Sequence, residues 1–209
     1  MVILGLTGSI GMGKTVAAGH FRRLGVPVHD SDAAVHNLLG PGGDAVDAID
    51  EAFPGTVRDG CVDREVMASR VFGDDEALQR LEAIVHPLVR QRTRRFLARQ
   101  ARRGAALVVL DVPLLFETGG ERRCDAVVCV SAPAFVQRSR VLRRPGMTAE
   151  RLDAILTRQI PDAEKRRRAD FVIRTGLGRG HGLRQIHHIV RMALTLTARN
   201  WPPRAEHRR

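Results

Sequence analysis

The chain has 209 residues, 44% of them hydrophobic, which suits one α/β domain with an insertion or two small lobes. Its net charge of +11 indicates an acidic partner such as a polyphosphate, while an aromatic content of 4% argues against a stacking surface for single-stranded nucleic acid. Three cysteines without close spacing argue against a disulfide framework. The N-terminal apolar run is short and lacks basic residues before it, so we expect neither a secretion signal nor a membrane span.

The first predicted elements are a buried strand at residues 2–6 and a helix at residues 16–24, joined by a glycine-rich loop. Residues 8–15 read Gly-Ser-Ile-Gly-Met-Gly-Lys-Thr, which fits the phosphate-binding pattern G-x-x-x-x-G-K-[ST]. In such a loop the backbone N–H groups face an anion, and the dipole of the following helix adds positive potential. Lys14 is expected to reach the β- and γ-phosphates, and the Thr15 hydroxyl to hold Mg2+.

Two acidic residues follow the next predicted strand, residues 26–29. Asp30 and Asp32 stand where that strand ends and a helix at residues 32–39 begins. In open parallel sheets, ligands bind beyond the carboxyl ends of the strands, so either carboxylate could accept a proton from an attacking hydroxyl. An Asp before a helix is equally often an N-cap, and from the residues alone both interpretations stand.

Residues 44–103 are predicted to be helical throughout, without a strand. The predicted helices are residues 45–53, 64–71, 75–85 and 87–102, the last with Pro87 in its first turn. Strands are predicted at residues 107–110, 126–130 and 171–173, and helices at residues 134–143, 149–159 and 183–198. This order predicts a parallel sheet interrupted by a helical insertion. Asp111 follows the central strand, where an acidic residue commonly helps to hold Mg2+.

An arginine cluster lies on and just after the predicted helix 134–143. Guanidinium groups stabilise the charge of a transferring phosphoryl group, although such a cluster can also be a solvated basic face. Arg140 and Arg144 are four residues apart and would share one face if the helix extends that far. Residues 165–168, Lys-Arg-Arg-Arg, are a candidate surface patch for polyanions.

Several separated segments together resemble the dephospho-coenzyme A kinase family, in family order over about residues 2–175. They are Gly5-Leu6-Thr7-Gly8-Ser9-Ile10-Gly11 with Gly13-Lys14, Asp30-Ser31-Asp32, Asp63-Arg64, Leu81-Glu82 with His86-Pro87, Asp111-Val112-Pro113-Leu114-Leu115-Phe116-Glu117, Gln137 with Arg140 and Arg144, Gln159, and Ala169-Asp170.

The resemblance implies a three-layer α/β P-loop kinase fold with a parallel sheet. The nucleotide-binding core would comprise residues 1–31 and 104–200, and a helical insertion at residues 32–103 would bind the coenzyme substrate. Residues 137–165 would form a lid within the core. Residues 201–209 are expected to be a flexible basic tail.

The resemblance also implies the reaction, an ATP-dependent phosphorylation of the ribose 3'-hydroxyl of dephospho-coenzyme A, with Mg2+. Asp32 would be the general base, and Lys14, Arg140 and Arg144 would stabilise the transferring group. The nucleotide-binding residues would be Gly8, Gly11, Met12, Gly13, Lys14, Thr15 and Val16. Substrate contacts would come from Asp30, Arg64, His86, Pro113 and Leu114, and metal ligands from Thr15 and Asp111.

Two other functions fit parts of the sequence. Another small-metabolite kinase, for a nucleoside or a sugar, would use the same loop. A nucleotide-gated nucleic-acid-binding protein would account for the positive charge, but no recognition motif supports it. We therefore expect dephospho-CoA as the partner, no nucleic acid or membrane partner, a monomer and a cytoplasmic location.

Overall fold

The computed structural model describes residues 1–202, which form seven strands and nine α-helices. The strands are β1 (Val2–Thr7), β2 (Val28–Asp30), β3 (Val57–Arg58), β4 (Cys61–Val62), β5 (Leu107–Asp111), β6 (Ala126–Ser131) and β7 (Phe171–Arg174). The helices are α1 (Lys14–Arg23), α2 (Ser31–Leu39), α3 (Val46–Ala52), α4 (Arg64–Val71), α5 (Asp75–Arg102), α6 (Ala134–Leu142), α7 (Ala149–Thr157), α8 (Asp162–Arg168) and α9 (Arg179–Ala193). Within these residues no helix is both long and apolar enough to cross a membrane.

The described chain divides into two compact units. Residues 30–99 form one unit, and residues 1–29 with those from 100 onward form the other. The predicted insertion spans residues 32–103. Most of the predicted tail, residues 203–209, lies outside the described residues.

The larger unit is built on a five-stranded sheet in the order β2-β5-β1-β6-β7. Strand β1 pairs in parallel with β5 and β6, and β6 pairs in parallel with β7. Every residue of β1, β5 and β6 is buried, which is typical of the central strands of a parallel sheet. Their continuous apolar runs are the reason the sequence predicts them well.

Both faces of this sheet are covered. Phe21 of α1 and Ile186 of α9 pack in one core with Val128 of β6. Val127, whose side chain points to the opposite face, packs with Phe116 and other apolar residues of the segment after β5. The predicted three-layer α/β fold is therefore confirmed.

The smaller unit has its own hydrophobic core. Its buried residues are Leu38, Ala45, Val46, Ile49, Phe53, Val62, Met67 and Ala77. The prediction that this region has no strand is wrong, because β3 and β4 form an antiparallel hairpin. The sequence contains a signal for this hairpin. Asp59-Gly60, with a valine two residues away on each side, is a typical two-residue hairpin turn.

The predicted helix boundary at Pro87 is also wrong. Helix α5 runs for 28 residues through Pro87, so this proline lies inside a helix and not in its first turn. Proline provides no N–H for the carbonyl four residues earlier, a loss of about 3 kcal/mol or more. Apolar side chains on both sides of Pro87, Val85 and Leu88 among them, pack against the same core. This packing compensates for the missing hydrogen bond and keeps the helix continuous.

Helix α8 is absent from the predicted elements, because its seven residues are almost all charged and show no apolar period. The basic run within α8 also differs from the surface patch that the sequence indicates. Lys165 is completely buried and paired with Glu117, and Arg168 is paired with Glu121, so residues 165–168 are not one exposed basic patch.

We expect the packing of α1 against the sheet to dominate the stability of the larger unit. Phe21→Ala removes a ring with 0% exposure and should lower the free energy of unfolding by about 3–5 kcal/mol. Phe135→Ala is the matched control, because Phe135 is 76% exposed, and it should change stability by about 0.5 kcal/mol or less. Urea denaturation measures both values, and similar losses in the two variants would contradict the assigned core.

Candidate active site

The phosphate-binding pattern forms a tight loop between β1 and α1. At Gly8 a Cβ would lie 2.6 Å from the carbonyl oxygen of Val130, so the backbone of β6 leaves no room for a side chain. Gly13 is the N-cap of α1 with φ of 95°, a conformation that L-residues other than glycine rarely adopt. The pattern therefore has the geometry its glycines predict, with the N-terminus of a helix directly behind it.

Lys14 and Asp111, predicted separately as a phosphate ligand and a metal ligand, lie together. The Lys14 ammonium is 2.6 Å from Asp111 Oδ1, and the two side chains are 16% and 3% exposed. The sheet register explains the contact, because Asp111 at the end of β5 pairs with Leu6 of β1, just before the loop. Asp111 is thus placed beside the loop.

The remaining nucleotide-binding predictions lie in different environments. Thr15 is exposed in the first turn of α1, where its hydroxyl is available to a ligand. The N–H of Val16 donates to the carbonyl of Gly13 at 3.1 Å and so closes the first turn of the helix. Met12 is 2% exposed and anchors the loop inward, its sulfur accepting from the N–H of Ala132 at 3.1 Å.

The carbonyl groups of the loop are bound by side chains from distant segments. The amide of Gln137 donates to the carbonyl of Ile10 at 2.8 Å. The hydroxyl of Thr175 donates to the carbonyl of Met12 at 2.6 Å. Thr175, after β7, is a site residue to which sequence reasoning assigned no role. An isolated threonine after a strand carries no recognisable pattern, so no sequence signal could have found it.

Only one of the two predicted lid arginines lies within helix α6. Arg140 donates to the hydroxyl and the carbonyl of Thr175, both at 2.9 Å, and lies 3.4 Å from the carbonyl of Gly11. Helix α6 ends at Leu142, so Arg144 lies beyond its last turn and is exposed. The condition for a shared helical face of Arg140 and Arg144, a helix that extends to Arg144, is therefore not met, because Arg143 already caps the helix.

The smaller unit contains four of the predicted site residues. Asp30 is the N-cap of α2, its Oδ1 accepting from the N–H of Ala33 at 3.0 Å, whereas Asp32 is exposed in the first turn. Of the two open interpretations, capping thus applies to Asp30. Arg64 contacts Nδ1 of His36, and His86 is exposed in the middle of α5.

The two predicted substrate contacts of the larger unit follow β5. The carbonyl of Pro113 accepts from the buried hydroxyl of Thr7 at 2.9 Å, which ties this segment to the end of β1. Leu114 is 42% exposed, unlike its buried neighbour Leu115. A segment fixed at Pro113 and exposed at Leu114 can present an apolar surface to a ligand.

A parallel α/β sheet with this loop between β1 and α1, and with Lys14 and Asp111 paired beside it, defines a P-loop nucleotide-binding protein. Comparison with known proteins then specifies the family. The family model described as dephospho-CoA kinase matches residues 2–177. The chain belongs to this dephospho-CoA kinase family.

Individual relatives agree over most of the chain. It is 67% identical to the dephospho-CoA kinase of Paramagnetospirillum magneticum over 166 residues, 79% of this chain and 78% of that protein. It is 61% identical to that of Mesorhizobium japonicum over 178 residues, 85% of this chain and 89% of the relative. The crystal structure of TT1252 from Thermus thermophilus has a TM-score of 0.82 and 37% identity, covering 93% of this chain and 98% of its own.

The three cysteines are free thiols and differ in their surroundings. Burial raises the pKa of the Cys129 thiol to about 12, and burial likewise raises that of Cys124 to about 12. Both groups therefore stay protonated at neutral pH and are poor nucleophiles. Cys61 is partly exposed on the hairpin of the smaller unit.

We expect iodoacetamide at pH 8 to alkylate Cys61 in the native protein and to leave Cys124 and Cys129 unmodified. A raised pKa means that the reactive thiolate of Cys124 and Cys129 forms only as the pH approaches about 12. Peptide mass spectrometry locates the modification, and protein unfolded in urea, in which all three should react, is the control. Rapid labelling of Cys129 in the native state would contradict its burial.

Proposed function

We propose that this chain transfers the γ-phosphoryl group of ATP to the ribose 3'-hydroxyl of dephospho-CoA, giving CoA and ADP in the final step of CoA biosynthesis. The observation that carries the proposal is the family match over residues 2–177, which includes the loop and the Lys14–Asp111 pair. The protein is thus a phosphotransferase, and its acceptor group is the ribose 3'-hydroxyl of a small molecule.

The loop and Lys14 bind the phosphates of ATP. Phosphoryl transfer needs little covalent chemistry from the protein, so catalysis depends on positioning and on stabilising negative charge. The helix N-terminus and the ammonium of Lys14 provide positive potential beside the β- and γ-phosphates. Arg144, exposed after α6, is the mobile cation for the transferring group, while Arg140 holds Thr175 and the loop.

Asp32 is the general base. It follows the carboxyl end of strand β2 by two residues, and ligands of open parallel sheets bind beyond such ends. Its carboxylate accepts the proton of the 3'-hydroxyl as that oxygen bonds to the γ-phosphorus and the bond to the bridging oxygen of ADP breaks. Asp30 keeps Asp32 in place by capping the same helix.

The residues beside the loop also fit a magnesium ion. Among the described residues no three His, Cys, Asp or Glu side chains cluster as in a dedicated metal cage. Mg2+ in kinases is usually bound by one or two oxygen ligands from the protein together with substrate phosphates, which matches the hydroxyl of Thr15 and the carboxylate of Asp111. When bound, the ion neutralises phosphate charge.

The two compact units divide the remaining roles. Residues 30–99 bind dephospho-CoA, with Asp30, Arg64 and His86 as contacts. Residues 137–165, which begin within α6, include α7 and end within α8, are the lid that excludes water from the γ-phosphate. The protein acts in the cytoplasm as a monomer and needs no nucleic acid.

We expect ADP release from Mg-ATP to be strongly stimulated by dephospho-CoA. A coupled ADP assay measures the rate, and mass spectrometry should find a product heavier by one phosphate. EDTA in excess should abolish turnover, and added Mg2+ should restore it, since phosphate charge must be neutralised. Binding of ATP without stimulation by dephospho-CoA would show that the acceptor is a different metabolite.

We expect Asp32→Asn to reduce kcat by about a hundredfold to ten-thousandfold, because the amide cannot accept the hydroxyl proton. Asp47→Asn is the matched control, since Asp47 is also exposed in the first turn of a helix, α3, and loses the same interaction with the helix dipole. Circular dichroism checks that both variants are folded. Near-normal turnover by folded Asp32→Asn would exclude it as the base.

A further inference from the structure

The backbone of Ile10 in the phosphate-binding loop is held on both of its peptide groups. Its carbonyl accepts from the amide of Gln137 in α6 at 2.8 Å. Its N–H donates to Oε1 of Gln159, just after α7, at 3.3 Å. The two consecutive peptides that flank the Ile10 Cα are therefore fixed by two side chains of the proposed lid, one in α6 and one just after α7.

The segment that carries Gln159 is itself anchored by the next residue. The N–H of Ile160 donates to Oε1 of Glu117 at 3.0 Å, and the Ile160 side chain packs with Phe116. Glu117 lies in the segment that follows Asp111 and β5. A continuous series of contacts thus runs from Glu117 through Ile160 and Gln159 to the loop.

Glu117 is in turn held by a buried charge. The same oxygen, Oε1, lies 2.7 Å from the ammonium of Lys165, which is 0% exposed, while Glu117 is 14% exposed. The other oxygen, Oε2, is buried and has no hydrogen-bond partner among the described residues. A buried ion pair with an unsatisfied oxygen is a poor way to gain stability, since apolar residues of similar volume often stabilise a protein as well or better.

The helix that carries Lys165 is held firmly against the same segment. Arg168, also in α8, lies over the ring of Phe116 at 4.4 Å and is paired with Glu121 at 2.9 Å. These contacts hold α8 beside the segment after β5 independently of Lys165. The Lys165–Glu117 pair is therefore not needed to hold α8. Its effect is to fix the Glu117 carboxylate where it accepts from the N–H of Ile160.

We propose that Glu117 and Gln159 are positioning residues for nucleotide binding, Glu117 fixing the Gln159–Ile160 segment and Gln159 fixing the Ser9–Ile10 peptide of the phosphate-binding loop through the Ile10 N–H. This inference rests on the proposed binding of ATP by that loop. In this role both side chains act through the loop backbone. Their effect is to keep the Ser9–Ile10 peptide in the orientation that leaves the neighbouring loop N–H groups facing the phosphates.

Two double variants separate the hydrogen bond from the charge. Glu117→Gln/Lys165→Met keeps an oxygen that can accept from Ile160, whereas Glu117→Met/Lys165→Met has none, and neither leaves an unpaired buried charge. Gln159→Met removes only the oxygen that accepts from the N–H of Ile10. Gln79→Met is its control, because Gln79 is exposed on α5. The probe is mant-ATP, a fluorescent ATP analogue, titrated with Mg2+ into the full chain.

We expect Glu117→Met/Lys165→Met and Gln159→Met each to raise the Kd for mant-ATP and the KM for ATP by about tenfold, with the KM for dephospho-CoA unchanged. Glu117→Gln/Lys165→Met and Gln79→Met should stay within about twofold of the parent. The triple variant Glu117→Met/Gln159→Met/Lys165→Met combines both defects. Since both act through Ile10, its affinity for mant-ATP should fall by about tenfold rather than about a hundredfold.

Equal Kd values for the two double variants, or additive losses in the triple variant, would overturn the proposal. If the double variants fail to fold, Gln159→Met still tests the final contact, and parent-like mant-ATP binding by that variant would also overturn it. The titration does not depend on the acceptor. A parent protein that binds mant-ATP without phosphorylating dephospho-CoA would therefore contradict only the proposed reaction.

Discussion

The structure of this kinase depends on one constraint: a loop that turns its N–H groups toward phosphates must direct its carbonyl groups into the protein. Buried carbonyls need hydrogen-bond donors, and a loop without regular structure cannot supply them all. Gln137, Arg140 and Thr175 supply them here, from α6 and from the segment after β7. The strand order makes these contacts possible, because β6 lies next to β1 and β7 next to β6, and the segments that follow them carry the donors.

The two lysines of the chain illustrate a second constraint. The other 32 basic residues are arginine, yet Lys14 and Lys165 both pair with a carboxylate, at 2.6 Å and 2.7 Å. Their partners, Asp111 and Glu117, lie at the end of β5 and in the segment after it. An ammonium is compact, whereas the planar guanidinium fork needs more space and several acceptors. The full burial of Lys165 and the close contact of Lys14 with Asp111 favour the smaller cation.

The predictions for α5 and α8 were wrong because tertiary contacts outweighed the local preference of the residues. Pro87 is a strong local reason to begin a helix, but the apolar residues on both sides of it share one core, and α5 passes through. The charged residues of α8 look like a solvated surface, although Lys165 is completely buried. In both cases the deciding partner is far away in the sequence, and no local pattern contains it.

The sequence by itself determined the buried strands, the glycine loop and the family. The strands and the loop rest on residues that are adjacent or regularly spaced, and the family rests on short segments that occur in a fixed order. Continuous apolar runs predict β1, β5 and β6, and the spacing of Gly8, Gly13 and Lys14 predicts the phosphate-binding loop. Only the tertiary structure decided which side chains hold that loop. Thr175 reaches Met12 across 163 residues and Gln159 reaches Ile10 across 149, and contacts over such separations arise from the packing of the whole sheet.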